Sequence, residues 1–541
     1  MSDRRPFWAS LSHNHFRNFW LAFVVSNLGG LIQGVAAGWM MTSITTSESM
    51  VALVQAASAL PIMLFSITAG AIADNFDRRR VMLFAQLFMF CMSALLALLA
   101  VLGVLTPWSL LGLTFLIGCG TAFNNPSWQV TIGDLVPRED LPEAVSLNSI
   151  AVNITRSVGP AIGGAIVAVS GAATAFALNA VSYLALIAVL LRWSTPERQS
   201  KLPREHVAQA IIAGVSYVSM SPNLLKIYSR AFFFGLSAIA VLALMPLVAR
   251  KLLQGGPLVY GLLLCAFGVG AVFAAILNAR LREKLSSEGI ARLAFSGFAI
   301  SELAMAETTN YFLCTGAIFV AGACWVLALS LFNTIVQLST PRWVVGRSLS
   351  FYQTAAFGGM AGGSWLWGTI AAGFGISEAL VFASTLSLVG LAIGFFWKVP
   401  AFETLNLTPF NQFREPQLRL DILPRSGPIA IQIAYEISDE DLEEFLTLMT
   451  SRRRIRIRDG AKAWALMRDL ENPNRWIEMY HTPTWADYMR LNERRTMADA
   501  QNSARLLEIH RGQEPVTASR MIERQTIPRS ADVFHQLNSH S

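Results

Sequence analysis

The residues of this sequence whose types and positions could do chemistry are charges placed where charges are costly. Arg156 and Glu302 stand inside long apolar runs, about 10 and 12 residues from where each begins. At 1.5 Å per helical residue that is roughly 15 Å or more of depth. Carrying a charge to the middle of a bilayer costs about 2.5–3.5 kcal/mol on insertion scales, so such residues argue for function or for a structural pair. Arg156 suits an anionic group of a ligand, or an ion pair with Asp134 or Asp140. Glu302 suits a proton carrier. Arg230 and Glu307 lie near run ends, where long side chains are expected to reach for the interface. The five cysteines (Cys91, Cys119, Cys265, Cys314 and Cys324) all sit in apolar runs without a CxxC partner. They read as small buried hydrophobes, so no metal, disulfide or other cofactor is expected. No GxxxxGK[ST] run occurs, which disfavours a chain that hydrolyses ATP itself.

The elements that must position these charges are membrane helices. Of 541 residues 53% are hydrophobic and 14% charged, with a mean hydropathy of +0.46; a soluble chain carries about 25% charge. The charge is uneven. Residues 1–400 hold 23 Lys and Arg against 15 Asp and Glu, and residues 401–541 hold 19 against 20. The net +7 therefore comes from loops of a membrane part and points to lipid surfaces rather than nucleic acid. A span needs about 20 apolar residues. Twelve runs qualify, at roughly 19–42, 50–73, 81–103, 107–131, 146–170, 172–192, 228–249, 257–280, 290–307, 311–335, 349–373 and 376–397. With the N-terminus inside, the inner segments carry 18 Lys and Arg, and the outer loops only Arg250 and Lys251. That bias is expected of a multi-pass protein of the cell inner (plasma) membrane with both termini cytoplasmic.

The chain also repeats itself. A shift of 204 residues carries Pro137, Arg138, Ser146, Gly159, Gly164 and Gly171 onto Pro341, Arg342, Ser350, Gly363, Gly368 and Gly375, and Asp74 onto Asn278. Two six-helix halves in the same orientation follow, the plan of one large transporter class. The expected organisation is a first bundle at 1–192, a cytosolic link at 193–227, a second bundle at 228–400, a linker at 401–426, a soluble domain at 427–522 and an unstructured tail at 523–541. Within the link, Val207–Tyr217 reads as an amphipathic surface helix.

Between the second and third runs lies Gly70-Ala-Ile-Ala-Asp74-Asn-Phe-Asp77-Arg78-Arg79-Arg80. It resembles the loop motif of the major facilitator superfamily: a Gly, an Asp four residues on, then basic residues. Asn75 and Asp77 depart from it, standing where the family has Arg and Gly. The resemblance implies a latch in which Gly70 allows close approach while Asp74, with Arg78 and Arg79, bonds across a helix end. The run Gly159-Pro160-Ala-Ile-Gly163-Gly164 is similar to the fifth-helix motif of the family's exporters. Ser146 and Thr155 replace its upstream glycines. The runs Asn124-Asn125-Pro126, Gly133-Asp134-Leu-Val-Pro137-Arg138 and Gly346-Arg347 narrow the resemblance to the enterobactin exporter and transmembrane secretion effector branch over roughly residues 10–400. The resemblance implies export of a small molecule driven by protons, with a cavity lined mainly by the first, fourth, seventh and tenth helices. The matching candidates here are Asn27, Gln33, Asn124, Asn125, Trp128 and Asn333. The resemblance also implies that the helix of Glu302 lies away from that cavity. Separately, the abundance of Phe and Trp in the chain suits an amphiphilic aromatic cargo.

The chain beyond residue 400 alternates like a soluble domain. Ile429–Glu436, Lys462–Leu470, Trp476–Tyr480 and Pro515–Ile522 read as strands. Helices are expected from Ser438 to near Ser451, at Thr484–Leu491 and at Thr496–His510. The order implies a small α+β ferredoxin-like domain. It resembles the dimeric domains of the antibiotic-biosynthesis monooxygenase type, in which Trp464, Trp476, His481, Trp485 and His510 would line a pocket. No nucleophile or metal set is fixed there, so a regulatory or dimerising module is expected rather than an enzyme. The run Arg452–Arg458 reads either as a lipid-touching patch or as a solvated basic stretch. The whole reads as a proton-coupled exporter, with a bifunctional chain whose domain oxidises or senses cargo, and an importer, as alternatives.

Overall fold

A computed structural model of the chain describes residues 9–137, 140–193, 214–341, 343–400 and 418–523, with Phe410 and Pro416. The side chains of Ala71, Ala73, Asp74, Asn75, Val130, Asp134 and Pro142 lie outside the described set. So do Arg138, Arg342, most of the expected 193–227 and 401–426 links, and all but the first residue of the expected tail. The chain divides into two units. One comprises 1–207, 226–336 and 349–402, and the other 208–225, 337–348 and 403–541.

The first unit is helical: α1 (Asn14–Ile44), α2 (Glu48–Asn75), α3 (Arg78–Val101), α4 (Pro107–Leu135), α5 (Leu141–Arg192), α6 (Pro222–Leu247), α7 (Pro257–Lys284), α8 (Ser287–Glu307), α9 (Tyr311–Leu338), α10 (Val345–Phe374) and α11 (Ile376–Phe396). Local chemistry sets where they start. Asp77 accepts from the Arg79 N–H at the head of α3 (2.9 Å). Thr106 and Ser109 form a capping box that spans Pro107 in the first turn of α4, and Ser286 caps α8. At 52 residues α5 holds two of the expected runs, and it turns at Gly171, where φ is +82°. Gly375, its counterpart in the second half, opens α11 at φ +113°. Both conformations are cheap only for glycine, so the repeat seen in sequence marks a repeated bend. Among the described residues, nine helices are long and apolar enough to cross a membrane.

Glycines bring the helices together. A Cβ on Gly159 would meet Leu28 and Leu31 of α1 at 3.1–3.2 Å, and one on Gly163 would meet the Ile32 Cα at 3.0 Å. A Cβ on Gly164 would lie 2.8 Å from the Gly261 Cα of α7. In α3, Arg79 donates to the Leu190 and Leu191 carbonyls (both 2.8 Å) and so closes the end of α5. In the second half, Asn278 donates to Ser330 Oγ (3.0 Å), and Arg282 binds Asn278 Oδ1 (3.3 Å) and Thr334 Oγ1 (3.1 Å), tying α7 to α9. Arg230 does not reach for the interface as the sequence suggested. It is buried in α6, its Nη1 bonded to the Gly390 carbonyl and its Nη2 3.4 Å from Glu288, which also holds Arg292 at 3.3 Å. Buried charge is retained where it is paired and hydrogen-bonded.

The second unit holds a four-stranded antiparallel sheet, order β2-β3-β1-β4, from β1 (Ile429–Glu436), β2 (Lys462–Arg468), β3 (Arg475–Thr482) and β4 (Ala518–Ile522). Its helices are α12 (Leu442–Asp459), α13 (Trp485–Glu493) and α14 (Met497–Glu508). Ile429, Ile431, Ile433 and Tyr435 point to the core, packing with Phe445, Tyr480, Tyr488 and Leu506. α12 runs past Ser451 to a left-handed cap at Gly460. The arginine run is thus neither loose nor wholly solvated: Arg452 and Arg456 are buried and bind Glu478 of β3 at 3.3 and 3.1 Å. Two further segments belong to this unit. Arg458 covers the Tyr217 ring at 5.5 Å, Arg494 covers Trp343 at 4.1 Å, and the two rings meet edge to face at 5.7 Å.

Candidate transport cavity

Helices α1 to α5 contribute polar side chains to an internal cavity of about 440 Å³ within the helical unit. Asn27, Gln33, Asn124 and Asn125 line it. Asn27 Nδ2 donates to Thr155 Oγ1 at 2.5 Å, so the residue that departs from the exporter motif ties α5 to α1. Gln33 is oriented from behind: its Oε1 accepts from Ser93 Oγ (2.8 Å) and from Asn179 Nδ2, and Asn179 also reaches Tyr183 Oη at 3.2 Å. Gln86 Nε2 donates to Asn124 Oδ1 at 3.1 Å.

Three expected residues are elsewhere. Trp128 is buried and stacks on Phe23 (4.4 Å, 7°), which itself lines the cavity, so the indole is one layer back. Asn333 of α9 and Arg156 of α5 do not line the cavity; Arg156 is exposed. Asp140, one suggested partner for Arg156, pairs instead with His13 Nε2 at 2.8 Å. Glu302 is fully buried on α8, accepts from Ser387 Oγ of α11 at 2.9 Å, and is away from the cavity. Gly70 of α2 faces α10, where a Cβ would lie 3.3 Å from Ser350 Oγ. Nearby, Ser66 Oγ bonds the Ser350 carbonyl (3.2 Å) and Thr354 Oγ1 (2.9 Å). Asp74, the expected latch, has its side chain outside the described set.

Sequence reasoning missed Ser26, Gln55, Gln86, Thr114 and Tyr183, which also line the cavity. Single polar residues in runs that are apolar on every face are their only signal. The other wall comes from α6, α9 and α10, through Ile239, Leu242, Trp325, Phe357 and Met360.

The halves are tied where α1 passes into α2. Lys251 pairs with Glu48 (2.5 Å), Arg250 donates to the Thr42 carbonyl, and Tyr260 stacks on Trp39 (6.4 Å) beside Gly38. A half-exposed pair of this kind contributes about 0.2–1 kcal/mol. Reversing it with Lys251→Glu is therefore expected to raise maleimide labelling of an Ala37→Cys reporter on the cavity wall about 1.4- to 5-fold, in protein stripped of its natural cysteines. Adding Glu48→Lys should restore the slower rate; no change in the first variant would mean that the tie does not hold this end shut.

In the second unit a cavity of about 290 Å³ is lined by Leu418, Ile422, Ile429, Trp485, Arg520 and Ile522 among others. Of the aromatic and histidine residues expected there, Trp485 alone reaches it among the described residues. Trp464 donates to Glu478 (3.2 Å), and His510 accepts from the Glu436 N–H (3.0 Å). The expected pocket group is therefore dispersed through the domain.

The helical unit has the fold of a major-facilitator transporter. A crystal structure of a bacterial homologue of the human lysosomal transporter Spinster, inward-facing and unoccupied, matches with a TM-score of 0.58 at 13% identity, covering 72% of this chain and 97% of that one. A D-xylose–proton symporter matches at 0.55 and 15%, covering 71% and 98%. The chain belongs to the transmembrane secretion effector family, whose match spans residues 6–527 and so includes the second unit, beyond the expected 10–400. It is 27% identical over 254 residues to the staphyloferrin A transporter of Staphylococcus aureus, covering 46% of this chain and 63% of that protein. It is 26% identical over 423 residues to an enterobactin exporter of Citrobacter koseri, covering 75% and 94%. The family makes this protein a multi-pass secondary transporter of small molecules and not an enzyme.

Proposed function

We propose that the protein exports a small organic molecule, a siderophore, drug or metabolite, across the inner membrane by proton antiport with alternating access. The carrying observation is the cavity walled by both halves of the helical unit. Twelve crossings fit this reading. The 50-residue stretch Glu143–Arg192 supplies two across the Gly171 bend, and α4 and α10 join the remaining helices that are apolar enough to cross. The basic bias of the segments read as inner supports cytoplasmic termini. Asp74 with Arg78 and Arg79 serves the gating latch, Gly159, Pro160 and Gly163 the approach of α5 to α1, and Glu302 proton coupling. The likeness to an enterobactin exporter favours export. Strand order and the α12 and α14 crossovers support a ferredoxin-like domain. Its open face carries Met467 and Met521, 40% and 44% exposed, and a second copy of the same sheet is the fitting cover. The 290 Å³ cavity favours cargo sensing by this domain as a second role.

Everted vesicles test the reading. Uptake of a member of a siderophore and drug panel is expected to follow an imposed pH gradient, to stop when the gradient is collapsed, and to be lost in Asp74→Ala. Uptake that ignores the gradient, or accumulation only in right-side-out vesicles, would overturn antiport or export.

A further inference from the structure

Taking the cavity of the helical unit as the cargo site, we infer that the cargo is an uncharged amphiphile. Its hydrogen-bonding end is held by amides and hydroxyls of the first half, and its apolar body lies on the second. The cavity is chemically two-faced. Every residue that α6, α9 and α10 give it is apolar or aromatic, whereas α1 to α5 give it side-chain amides and hydroxyls. No charged side chain occurs among the described lining residues, and Arg156, the cation expected to meet an anionic cargo group, is not among them.

Two of the polar groups lack a protein partner. Gln86 is 1% exposed, and its Nε2 is spent on Asn124, which leaves Oε1 unbonded. Thr114 is 7% exposed, and its Oγ1 is also unbonded. A buried acceptor left unmade is costly, so a ligand O–H or N–H that meets Gln86 Oε1 gains that interaction in full. A full charge would enter a site with no counter-charge among the described lining, and the desolvation cost would go unrepaid. A neutral donor-bearing head is therefore favoured over an ammonium or a carboxylate, and the aromatic wall of Trp325 and Phe357 takes the rest of the molecule.

The test uses the detergent-purified full chain and three probes that share one body: 1-pyrenebutanamide, 1-pyrenebutanoate and 1-pyrenebutylammonium. Binding is read by energy transfer from tryptophan. The amide is expected to bind saturably and about tenfold or more tighter than either ion. Gln86→Leu should weaken the amide about tenfold, and Thr114→Val should weaken it as well, in protein whose thermal unfolding is unchanged; if one variant does not fold, the other carries the test. An ion binding as well as the amide, no saturable binding by any probe, or variants that bind the amide as the parent does would overturn the inference. The assay needs no gradient and no direction. Selective amide binding without vesicle uptake would sink the export reading and keep this one, and gradient-driven uptake with ion-preferring binding would do the reverse.

Discussion

Glu478→Ala is expected to cost the sheet domain about 3–5 kcal/mol, a large share of the roughly 5–15 kcal/mol that holds a typical domain together. Glu478 is fully buried on β3 and binds four donors: Arg456 Nε (3.1 Å), Arg452 Nε (3.3 Å), Trp464 Nε1 (3.2 Å) and Tyr435 Oη (3.1 Å). Truncation strands two buried guanidinium groups, one of them stacked on Tyr480 at 4.5 Å. Limited proteolysis of the full-length protein should then cut within 427–522 while the helical unit stays intact. Unchanged resistance would contradict this account. The carboxylate also sets a pH signature. Burial alone would raise its pKa, but Arg456 and Arg452 overcome burial and hold it at about 2, against 4.5 for the free group. A lowered folded pKa gives stability that is complete above about 4.5 and is lost as pH falls from there toward 2. Asp459 acts in the opposite sense: burial, only partly offset by Arg458, raises it to about 6, so its contribution fades as pH rises through 6. Glu478→Gln should remove the acid-side loss and leave the Asp459 dependence in place.

Gly164→Leu is expected to have a large effect on transport by the helical unit. A Cβ there would lie 2.8 Å from both the Gly261 Cα and the Pro257 carbonyl oxygen, and one on Gly261 would lie 2.7 Å from the Pro160 carbonyl oxygen. These contacts are backbone on backbone, so no side chain can swing aside. Overpacking costs about 1–3 kcal/mol. If that cost falls on only one of two alternating states, their ratio shifts about 5- to 150-fold, and transport should fall accordingly. Gly112→Leu is the control, because nothing lies within 4 Å of its Cβ position. Equal transport in both variants would mean that the α5–α7 contact is not part of the cycle.

The long helices were legible because run length and the scarcity of charge mark them directly. The repeat was legible down to the paired bends at Gly171 and Gly375. What could not be read was helix rotation. A span that is apolar all round carries no moment to say which face a lone polar residue takes. Asn27 and Asn124 reached the cavity, Trp128 and Asn333 did not, and Gln86 and Thr114 went unnoticed although their types are no less polar. The arginine run of α12 misled for a related reason. Arg452 and Arg456 lie one helical turn apart on one face and turn inward to Glu478, a partner on a strand well beyond the reach of any local pattern. Arg230 likewise meets Glu288 only through packing that its own helix does not announce.

In this mechanism the two halves of the helical unit move apart and together around the cavity. The most direct measurement is the spin-label distance between Thr46→Cys, where α1 passes to α2, and Leu258→Cys, at the start of α7, in protein stripped of its natural cysteines. Two distance populations are expected: a short one matching the tied arrangement of Glu48 and Lys251, and a longer one that grows when Lys251→Glu is added. A single distance, unmoved by that substitution, by pH or by cargo, would contradict this mechanism.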